Sequence, residues 1–464
     1  MSPSSRSVLV RLSIMMFLQF FAWGAWFATL SLAMGSNDLG DFIGGAYESA
    51  PIAAIFAPLF LGLIADRLFS SERVMGVLML VGGAIMCYMA VIAPRGASVG
   101  GQLVWLMIAY MLCYMPTLGL GNSIVFAHLP QDLFPKARVW GTIGWIAAGL
   151  GLGLVGWSAS LNIFWLGAVS SLLLGAYSFT LPHTPPPAAG KPIDMGSLMM
   201  LDALKLLKNP PFLVFAVCSM LICIPLAYYY GQTSAFLGAA GFKQAASTMT
   251  LGQMSEIFFM ILIPFFFRKL GVKWMLLVGM GCWVARYALF AFGAPEQIAW
   301  MLLLGVALHG VCYDFFFVTG FIYTDKKANA QIRGQAQSLL VFLTQGLGMF
   351  FGFRMAFGGN WPFTNIPLPN TAGAYGVNPA GHTALMENIK TAAGEETAPS
   401  FLQGMAGMFG KGYPEGVDPE IVSKAMIDWK QYWLFPAGMA FVILVIFAIA
   451  FRDHSADSKE KTGS

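Results

Sequence analysis

Long apolar runs joined by short polar links recur about a dozen times along this chain of 464 residues. The first, from Val8 through Met34, contains no acid and only Arg11 as a base. A helix crosses the hydrocarbon core of a bilayer with roughly 20 apolar residues. A water-soluble domain would instead show shorter segments, each with a polar face. The pattern predicts an all-α membrane protein with twelve transmembrane helices, near 8–34, 41–65, 74–94, 101–127, 139–157, 161–181, 210–234, 245–267, 273–293, 297–322, 334–356 and 431–451.

Composition agrees: 57% of the residues are hydrophobic and 10% charged, against about 25% charged in soluble domains. The net charge of +4 matters less than its distribution. Twelve spans place both termini on one side, which then collects most of the basic residues, from Arg6, Arg11 and Arg73 through Lys205 and Lys208 to Lys326, Lys327 and Arg452. The opposite side holds Arg95, Lys243 and four lysines of one long loop. Basic residues stay cytoplasmic, so both termini are expected inside the cell. Arg6 and Arg11 before an apolar run also suggest a secretory signal, but the run exceeds the roughly 7–15 residues of a signal core. All six cysteines fall in predicted spans without metal-ligand spacing, so neither a zinc site nor a disulfide framework is expected.

Two stretches break the rhythm. Residues 182–209 contain Pro182, Pro185, Pro186, Pro187 and Pro192, and read as a cytoplasmic linker between two six-helix halves, 1–181 and 210–464. The loop 358–430, expected outside, is rich in Gly and Pro, yet Asp418-Pro419-Glu420 reads as a helix start. Loops of that length are usually functional or disordered, and the sequence leaves both readings open.

The hexapeptide Gly62-Leu63-Ile64-Ala65-Asp66-Arg67 resembles the loop signature of the major facilitator superfamily, with Asp66 and Arg67 as a charged latch; a plain polar turn is the alternative. The matching turn of the second half, Arg268-Lys269-Leu270-Gly271-Val272-Lys273, keeps the bases but lacks the acid. Phe17-Leu18-Gln19-Phe20-Phe21-Ala22-Trp23-Gly24-Ala25-Trp26, Tyr114-Met115-Pro116-Thr117, Arg138-Val139-Trp140-Gly141-Thr142, Leu181-Pro182-His183 and Tyr313-Asp314-Phe315-Phe316 then resemble the bacterial nucleoside:proton symporter family. The resemblance covers nearly all the chain except the long loop. It implies a major facilitator fold, proton-driven nucleoside uptake by alternating access, and a multi-pass place in the inner membrane. Nucleosides, protons and membrane lipids are then the partners of a monomer, with no nucleic acid and no cofactor beyond the coupling proton.

The residues themselves single out several positions. Arg138, Thr142 and Trp145 share one face of the fifth predicted helix, where a cation, a hydroxyl and a ring suit a heterocycle bearing a sugar. Anchoring for Arg138 and packing for Trp145 is the structural alternative. Gln253 and Glu256, at i and i+3, form a second polar face that binds substrate, with Glu256 also a proton site, or that joins helices. Asp314 stands in an apolar helix with no base near it in sequence, the strongest proton-coupling candidate. The resemblance favours pairing Asp314 with Arg138 as an inner gate; a cation beside it favours the ionised acid, an apolar cavity the neutral one. A purely structural pair is the alternative. Gln19, Trp23 and Trp26 share a face that lines the cavity or simply packs. Tyr313 is a binding candidate through its motif, and Gln232 supplies the one amide where the family pattern leads us to expect several. Tyr228, Tyr229 and Tyr230 offer hydroxyls and stacking in their place. Arg286 reads as structural, whereas Glu48 and Arg354 pair near the outer entrance or snorkel separately.

Rival functions are weaker. For a membrane-embedded enzyme, His309-x4-Asp314 imitates an acyltransferase motif, but residues five apart in a continuous helix point about 140° apart. A non-transporting nutrient receptor and a proton-coupled sugar or glycoside permease also compete with nucleoside symport.

Overall fold

The computed structural model describes residues 3–60, 68–130, 133–186, 196, 199–329, 332–358, 379–393, 403 and 407–453. Among these, eight helical stretches are long and apolar enough to cross a membrane. The chain divides into two compact units: Met1–Met195 with Gln244–Thr250 and Thr397–Gly410, and Gly196–Lys243 with Leu251–Glu396 and Lys411–Ser464.

In the first unit run α1 (Pro3–Gly24), α2 (Ile43–Phe60), α3 (Ser71–Ile92), α4 (Gly100–His128), α5 (Phe134–Leu154) and α6 (Asn162–Ser178). Helices in lipid gain little from hiding apolar surface, so close packing of small residues holds them together. A Cβ on Gly144 of α5 would overlap the Phe17 carbonyl of α1, and only glycine permits that approach. The first apolar run is not the single helix the hydropathy predicts. It stops at Gly24, makes a 3-10 turn over Phe27–Thr29 and resumes at Leu30–Gly35. Irregular backbone in an apolar interior must be satisfied by a neighbour, and Tyr47 of α2 donates its hydroxyl to the Phe27 carbonyl at 2.9 Å. The start of the predicted linker is tied down as well. His183 Nδ1 lies 2.9 Å from Glu72 Oε1, and the Thr184 N–H donates to Glu72 Oε2 at 3.0 Å.

In the second unit α7 spans Pro210–Ala239, α8 Ala245–Gly293, α9 residues 299–327, α10 residues 333–357, α11 Pro379–Ala393 and α12 Pro419–Ala450; the first residues of α8, through Thr250, belong to the first unit. Asn209 caps α7 by accepting from the Phe212 N–H at 3.2 Å, with Pro210 in the first turn. Gly271, at φ 66° and ψ 178°, breaks α8 inside the basic turn that the sequence places between two spans.

The helix start read at Asp418-Pro419-Glu420 is present, and it opens the last helix itself. That helix therefore begins at Pro419, ahead of the span expected from 431, and Asp418 caps it by accepting from the Glu420 N–H at 2.8 Å. Its first three turns are amphipathic, burying Val422, Ala425, Met426 and Trp429, so a search for continuous apolar character misses them. Helix α11 lies where the sequence predicts only loop. It buries Leu385 and sets the His382 ring edge-on to Trp429 at 5.4 Å. Farther on, Gly412 N–H donates to Gly241 O at 2.9 Å and Tyr413 Oη to Ala239 O at 2.7 Å. Residues 379–393 and 411–418 of the long loop thus pack within the second unit, whereas 407–410 belong to the first.

Burial pushes the His382 imidazole down to about 4, from roughly 6.5 in an unfolded chain. A lowered folded pKa means the contribution of His382 to docking is complete above pH 6.5 and is lost as the pH falls toward 4. Acidification from about pH 7.5 to about pH 5 is expected to lower the protection of the amides across 379–393 once intrinsic exchange rates are divided out, and His382→Gln to remove that dependence. Equal protection at both pH values in the native protein would contradict it.

Candidate functional site

In the second unit, α8 and α9 meet backbone to backbone. A Cβ on Gly310 would overlap the Glu256 nitrogen and the Ser255 carbonyl carbon. Helix α9 bends at Leu308 (φ −60°, ψ −8°). Ser255 mends the bend: its hydroxyl reaches the Ala307 carbonyl and accepts from the Gly310 N–H at 2.9 Å. From Asp314 to Val318 the helix widens into a π turn, and a second π turn spans Phe342–Gly348 of α10. Such turns insert a residue and occur often at functional sites.

Asp314 opens the first π turn. Its side chain is fully buried, and neither carboxyl oxygen has a hydrogen-bond partner among the described residues. Aromatic rings occupy the positions beside it: Phe315 packs on Phe266 at 5.2 Å, Phe316 on Trp283 at 5.3 Å and Phe317 on Tyr313 at 4.9 Å. Glu256, half-buried on α8, acts electrostatically on both Asp314 and Tyr230. An ionised carboxylate without partners is costly in such surroundings, and a bound proton removes the charge. Gln253 is buried one turn from Glu256, Tyr313 lies 5.8 Å from the His309 ring, and Gln232 is half-buried on α7. The structure therefore brings Glu256, Tyr313 and Asp314 into one neighbourhood.

The same neighbourhood contains a group to which the sequence pattern gives no functional role. Arg286 is fully buried, donates through Nη2 to His309 Nδ1 at 3.1 Å and lies 4.0 Å above the Tyr229 ring. Its Nε and Nη1 have no hydrogen-bond partner among the described residues, nor has the Tyr229 hydroxyl. The three tyrosines separate: Tyr229 stacks on His309 at 5.1 Å, Tyr230 meets that ring edge-on at 5.8 Å, and Tyr228 turns away to Tyr432 at 5.4 Å. His309 makes no relay with Asp314, whose oxygens are unbonded among the described residues. Intramembrane charge is the signal that could have marked Arg286 and His309.

The first unit has its own cluster. The Arg138 guanidinium lies 4.1 Å above the Phe20 ring and forms no ion pair among the described residues. Thr142 is buried one turn on, and Trp145 meets Trp23 edge-on at 5.4 Å. Gln19 is committed to α4: its Nε2 donates to Thr117 Oγ1 at 3.1 Å, while Tyr114 Oη donates to the Gln19 carbonyl at 2.6 Å. Trp26 is buried against Tyr110 at 5.9 Å. Glu48 is buried in α2, and Arg354 lies 4.9 Å above the Phe350 ring in α10. Asp66 and Arg67, expected to form a latch, lie outside the described residues.

Comparisons with known proteins agree with this picture. Residues 6–360 match the family described as Nucleoside H+ symporter. The YegT protein of Escherichia coli (strain K12), a putative nucleoside transporter by name, is 44% identical over 357 residues, 74% of this chain and 83% of its own length. The xanthosine permease of the same organism is 31% identical over 98% of both chains. The crystal structure of the nucleoside transporter NupG superposes with a TM-score of 0.71 at 26% identity, covering 96% of this chain and 99% of that one. The chain belongs to the nucleoside H+ symporter family: it is a multi-pass membrane transporter coupling nucleoside uptake to protons, and not an enzyme.

Proposed function

We propose, from that membership, that Asp314 carries the coupled proton in this symporter, with Glu256 as its partner, and that no cofactor besides the proton is used. The observation behind this reading is a buried carboxyl with both oxygens unpartnered among the described residues, at the head of a π turn. Arg138, Thr142, Trp145, Gln232, Gln253, Glu256 and Tyr313 bind the nucleoside, and Gln19, tied to Thr117, belongs to the wall around it. Asp66, Arg67, Arg138 and Asp314 serve the inner gate. We further propose twelve transmembrane helices in two six-helix halves, both termini cytoplasmic, working as a monomer in the lipid of a bacterial inner membrane. The glycine breaks at Gly96 and Gly271 support the count, because each divides a stretch too long for one crossing. The distribution of basic residues supports the orientation.

Uptake of labelled nucleosides into proteoliposomes under an acid-outside gradient tests this reading. Nucleosides should accumulate, an uncoupler should abolish the accumulation, and free sugars should not compete. Xanthosine belongs in the panel because one relative is a xanthosine permease. Accumulation of sugars alone would refute the assignment. Losing a polar partner of a ligand costs about 1–3 kcal/mol, so Gln253→Ala and Glu256→Gln should each weaken calorimetric binding about 5- to 150-fold. Unchanged affinity in both would leave them as helix-joining residues.

A further inference from the structure

Arg286, His309 and Tyr229 form a buried cluster to which neither proton coupling nor the proposed binding face gives a role. Arginine is always a donor and has no acceptor atom. In the bond between Arg286 Nη2 and His309 Nδ1, 3.1 Å long, the imidazole nitrogen must accept, so Nδ1 carries no hydrogen. The neutral ring then bears its one N–H at Nε2.

The ring is also held in place. Tyr229 stacks on one face at 5.1 Å with the planes 16° apart, and Arg286 covers the same tyrosine at 4.0 Å. Tyr230 and Tyr313 border it, each at 5.8 Å. Behind it, Gly252 leaves room for the His309 Cβ, which a side chain there would press at 3.0 Å. His309 begins the helical turn after the bend at Leu308, and Ser255 fixes that bend through the Gly310 N–H. The titratable and charged groups around it are Arg286, Tyr229, Tyr230, Tyr287 and Cys312, with Glu256, Tyr313 and Asp314 beyond. No described residue forms a hydrogen bond with Nε2.

We propose that Arg286 is a positioning residue that locks His309 as the Nε2–H tautomer, making His309 a specificity-determining donor for one acceptor atom of the nucleobase, a carbonyl oxygen or an unprotonated ring nitrogen. The proposal rests on the nucleoside reading of the site. It separates His309 from the carboxyls: a ring whose Nδ1 is occupied by a resident cation reads the substrate and leaves proton transfer to Asp314 and Glu256.

Two measurements on the full chain test it. In the first, calorimetric binding is compared for a nucleoside and its analogues in which single base acceptors are replaced by C–H. The native protein should lose about 5- to 150-fold in affinity for one analogue, the effect of one unmet polar partner. His309→Ala should bind both compounds alike, and His309→Gln, whose amide can donate from a similar place, should restore part of the discrimination. In the second, 15N spectra of histidine-labelled protein, with His309 assigned by difference from His309→Gln, should show Nδ1 bare and Nε2 protonated. Arg286→Met should give mixed tautomers together with weakened discrimination. A native Nδ1–H signal, or the same analogue discrimination in His309→Ala as in the native protein, overturns the proposal even if Arg286→Met fails to fold. Absence of nucleoside binding by the native protein would instead refute the nucleoside reading itself.

Discussion

Replacing Asp314 with asparagine is expected to abolish substrate accumulation under a pH gradient while leaving equilibrative exchange in place. Asparagine has nearly the same size and shape but can neither take up nor release a proton. Because neither oxygen of Asp314 has a partner among the described residues, the substitution breaks no ion pair there and should not unfold the second unit. A gradient of one pH unit supplies about 1.4 kcal/mol per proton, roughly tenfold accumulation for one-to-one coupling. The native protein should approach that figure in proteoliposomes, whereas Asp314→Asn should stop at equal concentrations inside and out, with counterflow of preloaded nucleoside retained. Glu256→Gln separates the two carboxyls: it should weaken binding as well as coupling, because Glu256 is half-buried and lies on the face of α8 that also carries Gln253. If Asp314→Asn still concentrated nucleoside with an unchanged pH profile, the proton would travel by another route.

The long helices were legible because lipid imposes one simple requirement, a run of apolar residues long enough to cross. The break at Gly271 was legible too, since the basic turn from Arg268 to Lys273 marks it from within the sequence. The break after Gly24 was not: the Phe27 carbonyl it frees is satisfied by the Tyr47 hydroxyl of another helix, a meeting hydropathy does not show. Helix α11 and the first turns of α12 escape a hydropathy reading because they are amphipathic, one side against each other and one side polar. At the site, Asp314 announced itself by isolation, and Gln253 and Glu256 by their spacing on one helix. The π turn that begins at Asp314 leaves no periodic signature in so short a stretch. The Arg286–His309–Tyr229 cluster draws one residue from each of three helices. No spacing along a single helix encodes that meeting, and the one signal in the sequence, the intramembrane charge of Arg286, reads there as structural.

Gly310→Ala should be the most damaging of the small substitutions in the second unit. The added Cβ would overlap backbone atoms of Ser255 and Glu256, and backbone cannot rotate away as a flexible side chain can. Overpacking of this kind costs typically about 1–3 kcal/mol. Moving α8 from α9 also breaks the acceptance of the Gly310 N–H by Ser255, and a buried donor left unmet adds about 1–3 kcal/mol more. The displaced residue is Glu256 itself, so nucleoside affinity should fall together with thermal stability. Gly281→Ala is the matched control, because a Cβ there meets nothing within 4 Å and alanine stabilises a helix interior by about 0.5–1 kcal/mol. Because both changes remove the same bridge, Ser255→Ala on the Gly310→Ala background should cost less than Ser255→Ala alone. Melting of detergent-solubilised protein and calorimetric binding read both effects. Equal melting temperatures for Gly310→Ala and Gly281→Ala would show that the contact between α8 and α9 yields freely and that Ser255 is not what holds the bend beside His309.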